Sequence, residues 1–537
     1  MCKNRLLTLF VVICNLVLGL ASAGKAPNIV FILADDLGWH DVGFHGSEIK
    51  TPNIDKLAYD GVILNNYYVQ PICTPTRGAI MSGKYPIHTG LQHYVIAGSQ
   101  PYGMPLSVTT LPQHLKALGY NTHMVGKWHL GMFKEDYLPE NRGFESHFGY
   151  YMGHGDYFDH HSTDGYVGYD LHFNGETAWN YSEVYSTEFY TRHAENIIKS
   201  HNKSKPLFLY LAHQAVHAGN GNDPIQAPQK YIERFPYIKN VPRRMFAGVV
   251  SALDDSVGAV YQALQDANMA DNTIIVFSTD NGGPTDHYDQ NAACNWPLKG
   301  NKNTLWEGGV RGVGFVHSPL IHSPGRIVNG MIHVVDWLPT LLQAAKGEGL
   351  KYQDQGENEL DLDGIGMWAE IAGSSGNNAW PRQEVLLNID PVSKFGGIIV
   401  GDHKLVYGNV PVSGWYPPPD GTTDDMEEKV DYTSSAQNTL FFRPEGKSLY
   451  SGPISIECGL MPLNATKECQ PQEFPCLFNL KEDPCEYHNL ASVLPELVVT
   501  LQDRLSKYAL TMVPPGNKPQ DPKGNPQLHG GVWKPWM

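Results

Sequence analysis

Four polar clusters follow apolar runs in this 537-residue chain, and their residue types are those of hydrolytic and metal chemistry. Asp35-Asp36 follows Asn28 to Ala34, and Gly126-Lys127-Trp128-His129 follows Asn121 to Val125. His213 and His217 follow Pro206 to Ala212, and Asp280-Asn281-Gly282-Gly283 follows Thr273 to Ser278. Two adjacent carboxylates repel each other unless they share a cation. An Asp-Asp pair alone reads more readily as a helix cap or solvated turn, but the second oxygen-rich pair, Asp280-Asn281, tips the balance towards a metal. Carboxylates and a side-chain amide, with no cysteine or tight histidine cluster among them, suit a hard cation, Ca²⁺ or Mg²⁺, better than zinc.

Cys73 opens the segment Cys73-Thr74-Pro75-Thr76-Arg77-Gly78-Ala79-Ile80-Met81-Ser82-Gly83. Pro75 near a helix start puts the cysteine at the positive end of the helix, where thiol pKa values fall and anions gather. On residue types alone, Cys73 is a buried structural cysteine first and a reactive thiol second. Lys127 and His129 alternate on a segment that reads as extended, so both face one side and reach one tetrahedral anion. A lone Lys-x-His is otherwise ordinary surface sequence.

These clusters need a frame. Short β-rich runs, each ending in a polar cluster and separated by helical patterns, have the rhythm of an α/β sheet. Helices are predicted over Pro52 to Asp60, Thr110 to Leu118, Thr187 to Lys199, Arg244 to Asn268 and Asp336 to Ala345. In open α/β sheets ligands gather beyond the carboxyl ends of the strands, so the four clusters are expected to converge on one rim. After about Glu384 prolines, glycines, an acidic patch at Asp424 to Glu428 and four cysteines change the texture. A catalytic domain over 24–384 and a smaller C-terminal domain over 385–537 are expected, the latter richer in antiparallel strand and loop. No internal repeat is apparent.

Lys3 and Arg5 precede an apolar run from Leu6 to Leu20 that ends in Ala21-Ser22-Ala23, the pattern of a cleaved secretory signal over 1–23. No later stretch is apolar enough to span a bilayer. Secretory entry agrees with candidate glycosylation acceptors at Asn180, Asn202 and Asn464, and a lysosomal or extracellular destination is expected. Cys458, Cys469, Cys476 and Cys485 suit short disulfides in an oxidising compartment. Neighbour pairing, Cys458 with Cys469 and Cys476 with Cys485, is the simplest expectation. Cys73 and Cys294 are left without obvious partners, and Cys294 reads as a buried free thiol. The formal charge of −16 excludes a generally basic, nucleic-acid-binding surface. Near pH ~5 most of the 23 histidines would be protonated, so an anionic substrate is tolerated best in an acidic compartment.

The segment from Cys73 matches C-x-P-x-R, the motif that marks sulfatases for oxidation of cysteine to formylglycine. A second signature of that family stands at Gly119-Tyr120-Asn121-Thr122-His123-Met124-Val125-Gly126-Lys127-Trp128-His129-Leu130-Gly131. With Ser278 to Gly283, Trp306 to Phe315 and the ending Gly531-Val532-Trp533-Lys534-Pro535-Trp536, the mature chain resembles the arylsulfatase B (N-acetylgalactosamine-4-sulfatase) group and its animal relatives. The resemblance implies an alkaline-phosphatase-like large mixed sheet flanked by helices, with a small C-terminal antiparallel sheet. It implies one Ca²⁺ held by Asp35, Asp36, Asp280, Asn281 and the modified Cys73. Around the sulfate it implies Arg77, Lys127, His129, His217 and Lys302. A formylglycine-generating enzyme is the implied maturation partner, and a sulfated glycan the implied substrate. In the implied chemistry a hydroxyl of the hydrated aldehyde attacks sulfur while His217, with Lys302, protonates the leaving oxygen. The other hydroxyl then loses a proton to His129 and expels sulfate.

Thr76 stands where animal relatives usually have serine, and cysteines of the arylsulfatase B group are missing near Ser99, Gly103 and His529. The histidine-rich run Gly153 to His161 lacks metal-ligand spacing and reads as a mobile loop bordering the pocket. Competing functions are a phosphodiester or phosphonate hydrolase of the same superfamily and a non-catalytic glycan-binding protein with an unmodified Cys73.

Overall fold

The structure, a computed structural model, describes residues 25–286, 289–346, 360–375, 379–419 and 452–537. The expected leader at 1–23 and the acidic patch at 424–428 lie outside them. The runs Asn28–Ala34, Leu207–Ala212 and Thr273–Thr279 are buried along their whole length. Near-continuous apolar sequence is what strands covered on both faces require.

These three form the centre of a ten-stranded mixed sheet. Its order is Arg326–Val328, Val62–Leu64, Gly314–His317, Thr273–Thr279, Asn28–Ala34, Leu207–Ala212, Asn121–Lys127, Ser146–Tyr150, His172–Phe173 and Glu176–Thr177. Strands 28–34, 121–127, 146–150, 207–212 and 273–279 run parallel, so their polar clusters emerge on one rim. Strand 314–317 is antiparallel to 273–279. This is the large mixed sheet flanked by helices that the resemblance implies.

The helices fall into two packed groups. Val241–Asp266 lies against Ser186–Ser200 and Pro52–Tyr59, while Cys73–Ser82 lies against Leu111–Ala117 and Trp337–Lys346. The long helix begins three residues before its predicted start, because Asn240 caps it by accepting from Arg243 N and Pro242 sits in its first turn. Thr110 proves to be a cap rather than a helical residue, accepting from Gln113 N.

Glu384–Asp390, Phe395–Val400, His403–Gly408 and Cys476–Asn479 make an antiparallel four-stranded sheet, with Pro495–Thr511 packed on it. Lys404 joins this sheet to the larger part of the molecule: fully buried, its Nζ lies 2.9 Å from Glu307 Oε1 and 2.8 Å from Glu486 Oε1. The chain end returns to the large part, where Trp533 is buried, its N donating to Tyr169 O at 3.0 Å and its Nε1 to Ser162 O at 3.1 Å. An aromatic anchor therefore holds the tail.

The disulfides correct the sequence expectation. Cys458 pairs with Cys485 and Cys469 with Cys476. Cys476 is the first residue of the strand Cys476–Asn479, and Cys485 lies beyond its far end. A strand advances ~3.3 Å per residue, which carries Cys485 away from Cys476, while the short loop from Cys469 returns to it. Cys73 and Cys294 are free and buried, as expected.

Candidate active site

The loop after strand 207–212 is stitched to Asp35. Asp35 N donates to Ala215 O at 3.0 Å and Val216 N to Asp35 O at 2.7 Å. Asp280 N donates to Ala34 O at 3.1 Å, joining a second strand end to the first. Gly126, with φ +101°, precedes Lys127; a Cβ there would lie 1.9 Å from Ala212 O, so only glycine lets the strands approach so closely at this rim.

Helix Cys73–Ser82 is buried throughout and points its first turn at this junction. Cys73 Sγ lies 3.8 Å from Asp35 Oδ1. Asp35, Asp36, Cys73 and His217 offer ligand atoms within 4.8 Å of one another. The helix start was expected to lower the thiol pKa. Burial instead raises it, and Lys127 and Lys302 do not offset that. As a plain cysteine, residue 73 would be an inert thiol.

Asp35 Oδ2 accepts from Lys127 Nζ at 2.6 Å and faces Arg77 Nη2 at 3.4 Å. Burial pushes its pKa up, but Lys127, His217 and Arg77 outweigh burial and hold the carboxyl below its ordinary value. Asp280 Oδ2 accepts from Arg77 Nη2 at 2.8 Å and Nε at 3.1 Å, and Arg77 Nη1 donates to Lys127 O at 3.1 Å. All three guanidinium nitrogens of Arg77 thus brace protein groups. Asp36, in the left-handed region at φ 59°, accepts from Asn281 Nδ2 at 2.7 Å on Oδ1 and from Lys302 Nζ at 2.8 Å on Oδ2. Strain of this kind concentrates at functional sites.

The donor set fits a hard cation. Asn281 Oδ1 is buried without a hydrogen-bond partner, an arrangement that costs ~1–3 kcal/mol unless something binds there. Asp35, Asp36, Asp280 and Asp289 put four carboxylates against three fixed cations, Arg77, Lys127 and Lys302.

The two histidines are oriented by carbonyls. Because a carbonyl only accepts, His217 Nδ1, 2.7 Å from Ala218 O, carries a proton, and Nε2 faces Lys302 Nζ at 3.1 Å. By the same reasoning His129 Nε2, 3.0 Å from Ile96 O, is protonated, and its buried Nδ1 has no protein partner. His129 does not continue the extended strand: at φ 58° it turns out of it. The expected alternation with Lys127 is therefore replaced by a left-handed kink. Burial, reinforced by Lys127 and Arg77, keeps its imidazole pKa well below the ordinary value.

Two residues that sequence reasoning did not single out line this group. Asp289 Oδ2 lies 2.9 Å from Lys302 Nζ and 3.6 Å from His217 Nε2. No motif marks it, since it sits in a loop rather than at a strand end. His154, within the flagged histidine-rich run, stacks on His217 with ring centroids 6.0 Å apart; burial, then His217, pulls its pKa down to about 4. Asn180, Asn202 and Asn464 are all exposed.

A family model described as Sulfatase matches residues 27–347. The chain belongs to the sulfatase family. Arylsulfatase J of Mus musculus is 42% identical over 536 residues, covering 95% of this sulfatase and 80% of the mouse chain. N-acetylgalactosamine-6-sulfatase of Homo sapiens is 30% identical over 347 residues, covering 61% of this chain and 64% of the human one. The crystal structure of Ps i-CgsB superposes with a TM-score of 0.70 at 28% identity, covering 92% of this chain and 94% of that one. The same protein in complex with k-i-k-neocarrahexaose gives 0.69 at 27% identity over 92% and 94% of the two chains. The enzyme is therefore a hydrolase of sulfate esters. Among the described residues, no helix of this sulfatase is long and apolar enough to cross a membrane.

Proposed function

We propose that this sulfatase removes sulfate from sulfated sugars of glycosaminoglycans, of the N-acetylgalactosamine 4-sulfate type, using a formylglycine made from Cys73. The observation that carries the reading is the position of Cys73, 3.8 Å from Asp35 and at the start of a buried helix amid Arg77, Lys127 and Lys302. A relative whose name specifies N-acetylgalactosamine, and a structural neighbour bound to a saccharide, support a sugar substrate.

Asp35, Asp36, Asp280 and Asn281 would hold one Ca²⁺ together with the modified residue 73. The cation would supply Lewis-acid polarisation, and the hydrated aldehyde a hydroxyl nucleophile. Lys127 and Lys302 neutralise charge on the sulfuryl oxygens. Arg77 positions Asp280 and Lys127. His217, once its Nε2 has taken a proton from Lys302, gives it to the leaving oxygen, and His129, through its free Nδ1, takes one. In this reading 1–23 is a cleaved leader, 24–384 the catalytic domain and 385–537 the smaller domain. Asn180, Asn202 and Asn464 carry glycans in the secretory pathway, on the way to the lysosome or the exterior. A formylglycine-generating enzyme acts on the chain there.

The test is turnover of N-acetylgalactosamine 4-sulfate, its 6-sulfate and a phosphodiester by the purified full chain across pH. Fastest cleavage of the 4-sulfate is expected. A preference for the 6-sulfate would overturn the linkage, and a preference for the phosphodiester the reaction class.

A further inference from the structure

The loop that carries Asp289 is fastened on both sides of it. Before it, Asp286 accepts hydrogen bonds from Asn301 Nδ2 and the Tyr416 hydroxyl. After it, the buried Asn291 donates to Val216 O at 2.7 Å. Between these anchors Asp289 takes the left-handed conformation, φ 60°, and reaches Lys302 and His217 while its side chain stays 29% exposed. It therefore faces both the candidate sulfate-binding groups and the solvent from which a substrate arrives.

Lys302 has three N–H donors, and its Nζ lies 2.8 Å from Asp36 Oδ2, 2.9 Å from Asp289 Oδ2 and 3.1 Å from His217 Nε2. A sulfate oxygen entering here must share Lys302 with Asp289. Asp289 remains an acceptor: burial opposes its charge, but Lys302 and His217 outweigh burial and hold the carboxyl below its ordinary range. Asp164 and His154 feel the same charge, Asp164 accepting from Gly98 N at 2.7 Å.

We propose that Asp289 is a specificity-determining residue, which selects sulfate esters whose group next to the scissile sulfate is a neutral donor, a hydroxyl or an amide, and rejects those with a second anion there. The inference rests on the reading that Lys302 and His217 face the scissile sulfate. A sulfate is tolerated because Lys302 stands between it and Asp289. A carboxylate or second sulfate on the adjacent position would meet the exposed side of Asp289, away from Lys302, a like-charge contact of the kind by which sites exclude wrong partners. Within a glycosaminoglycan this favours sulfated sugars whose nearest substituents are uncharged.

The test compares two aryl esters of nearly equal shape, 2-carbamoyl-4-nitrophenyl sulfate and 2-carboxy-4-nitrophenyl sulfate, with the full-length enzyme. Wild type should prefer the neutral ester. Asp289→Asn should shrink the ratio of the two kcat/KM values about fivefold or more, chiefly through KM of the charged ester, the least expected for one like-charge contact at about 4 Å screened as in bulk water. Asp289→Glu should keep the ratio. An unchanged ratio in Asp289→Asn, including equal losses on both esters as from a merely structural role, would overturn the proposal. Should that variant not fold, wild type decides: raising NaCl from about 0.05 M to about 0.5 M should narrow the preference by screening, and a salt-independent preference would overturn it. Failure of the nucleophile assignment is read separately, from turnover by Cys73→Ser.

Discussion

The hydroxyl of Thr76 donates to the backbone carbonyl of Asp280 at 2.5 Å and accepts from Gln70 N at 2.9 Å. It pins the helix carrying Cys73 and Arg77 to the strand end carrying Asp280. Serine supplies the same hydroxyl, so threonine at this motif position keeps the contact. Thr76→Val, close to isosteric, should lower the unfolding free energy by ~1–3 kcal/mol, since it strands a buried carbonyl and N–H. Thr76→Ser should lose only the methyl, ~0.8 kcal/mol. Denaturant titration compares them, and a valine variant as stable as the serine variant would contradict this role.

Lys404 sits between two buried carboxylates and is the nearest cation to both, with Arg311 farther from Glu307 at 3.6 Å, so removing it leaves both short of positive charge. Lys404→Met should cost ~3–5 kcal/mol, and adding Glu307→Gln and Glu486→Gln should recover most of that loss. Thermal unfolding of the single and triple variants checks the prediction. A single variant near wild-type stability would mean that the small sheet docks by apolar contact alone.

His45 is stacked on Trp39 at 3.8 Å and pulled down to about 3, chiefly by burial. The native state refuses a proton that the unfolded chain accepts below about pH 6.5. Stability from this residue is therefore intact above that pH and falls by about 1.4 kcal/mol per unit between pH ~6 and ~4. Asp55, raised to about 7 chiefly by burial, acts in the opposite sense: its native carboxyl binds a proton over the same range and adds stability. His45→Phe, which keeps the stacked ring, should flatten the acid limb of stability against pH, and Asp55→Asn should steepen it. Unchanged slopes would contradict the assignments.

Chelation tests the cation. Removing Ca²⁺ should lower the midpoint of thermal unfolding, and adding it back at about a hundred times its Kd should restore ~2.7 kcal/mol. Asn281→Leu, which removes the orphaned Oδ1, should weaken calcium binding about tenfold or more. Indifference of both stability and activity to a chelator would remove the metal from the account.

Strand Asn28–Ala34 was legible to the residue, because a run buried on both faces announces itself in apolar sequence. The clusters after four strands were legible because the parallel fold sends such ends to one rim. The kink at His129 was not: a left-handed residue after a strand leaves no periodic trace. Asp289 was silent for a related reason, since its place depends on anchors at Asp286 and Asn291 rather than on neighbours in sequence. Disulfide pairing was beyond reach, since four cysteines allow three connectivities and only the strand Cys476–Asn479 chooses among them. Nor did the C-x-P-x-R segment reveal that Arg77 would spend its donors bracing Asp280 and Lys127.

The central claim is the chemical state of residue 73, and peptide mass spectrometry of the active, full-length protein tests it directly. The peptide containing residues 73–77 should be about 18 Da lighter than its cysteine form and should resist alkylation at residue 73, because an aldehyde has replaced the thiol. A fully alkylatable Cys73 in a preparation with full sulfatase activity would contradict the account.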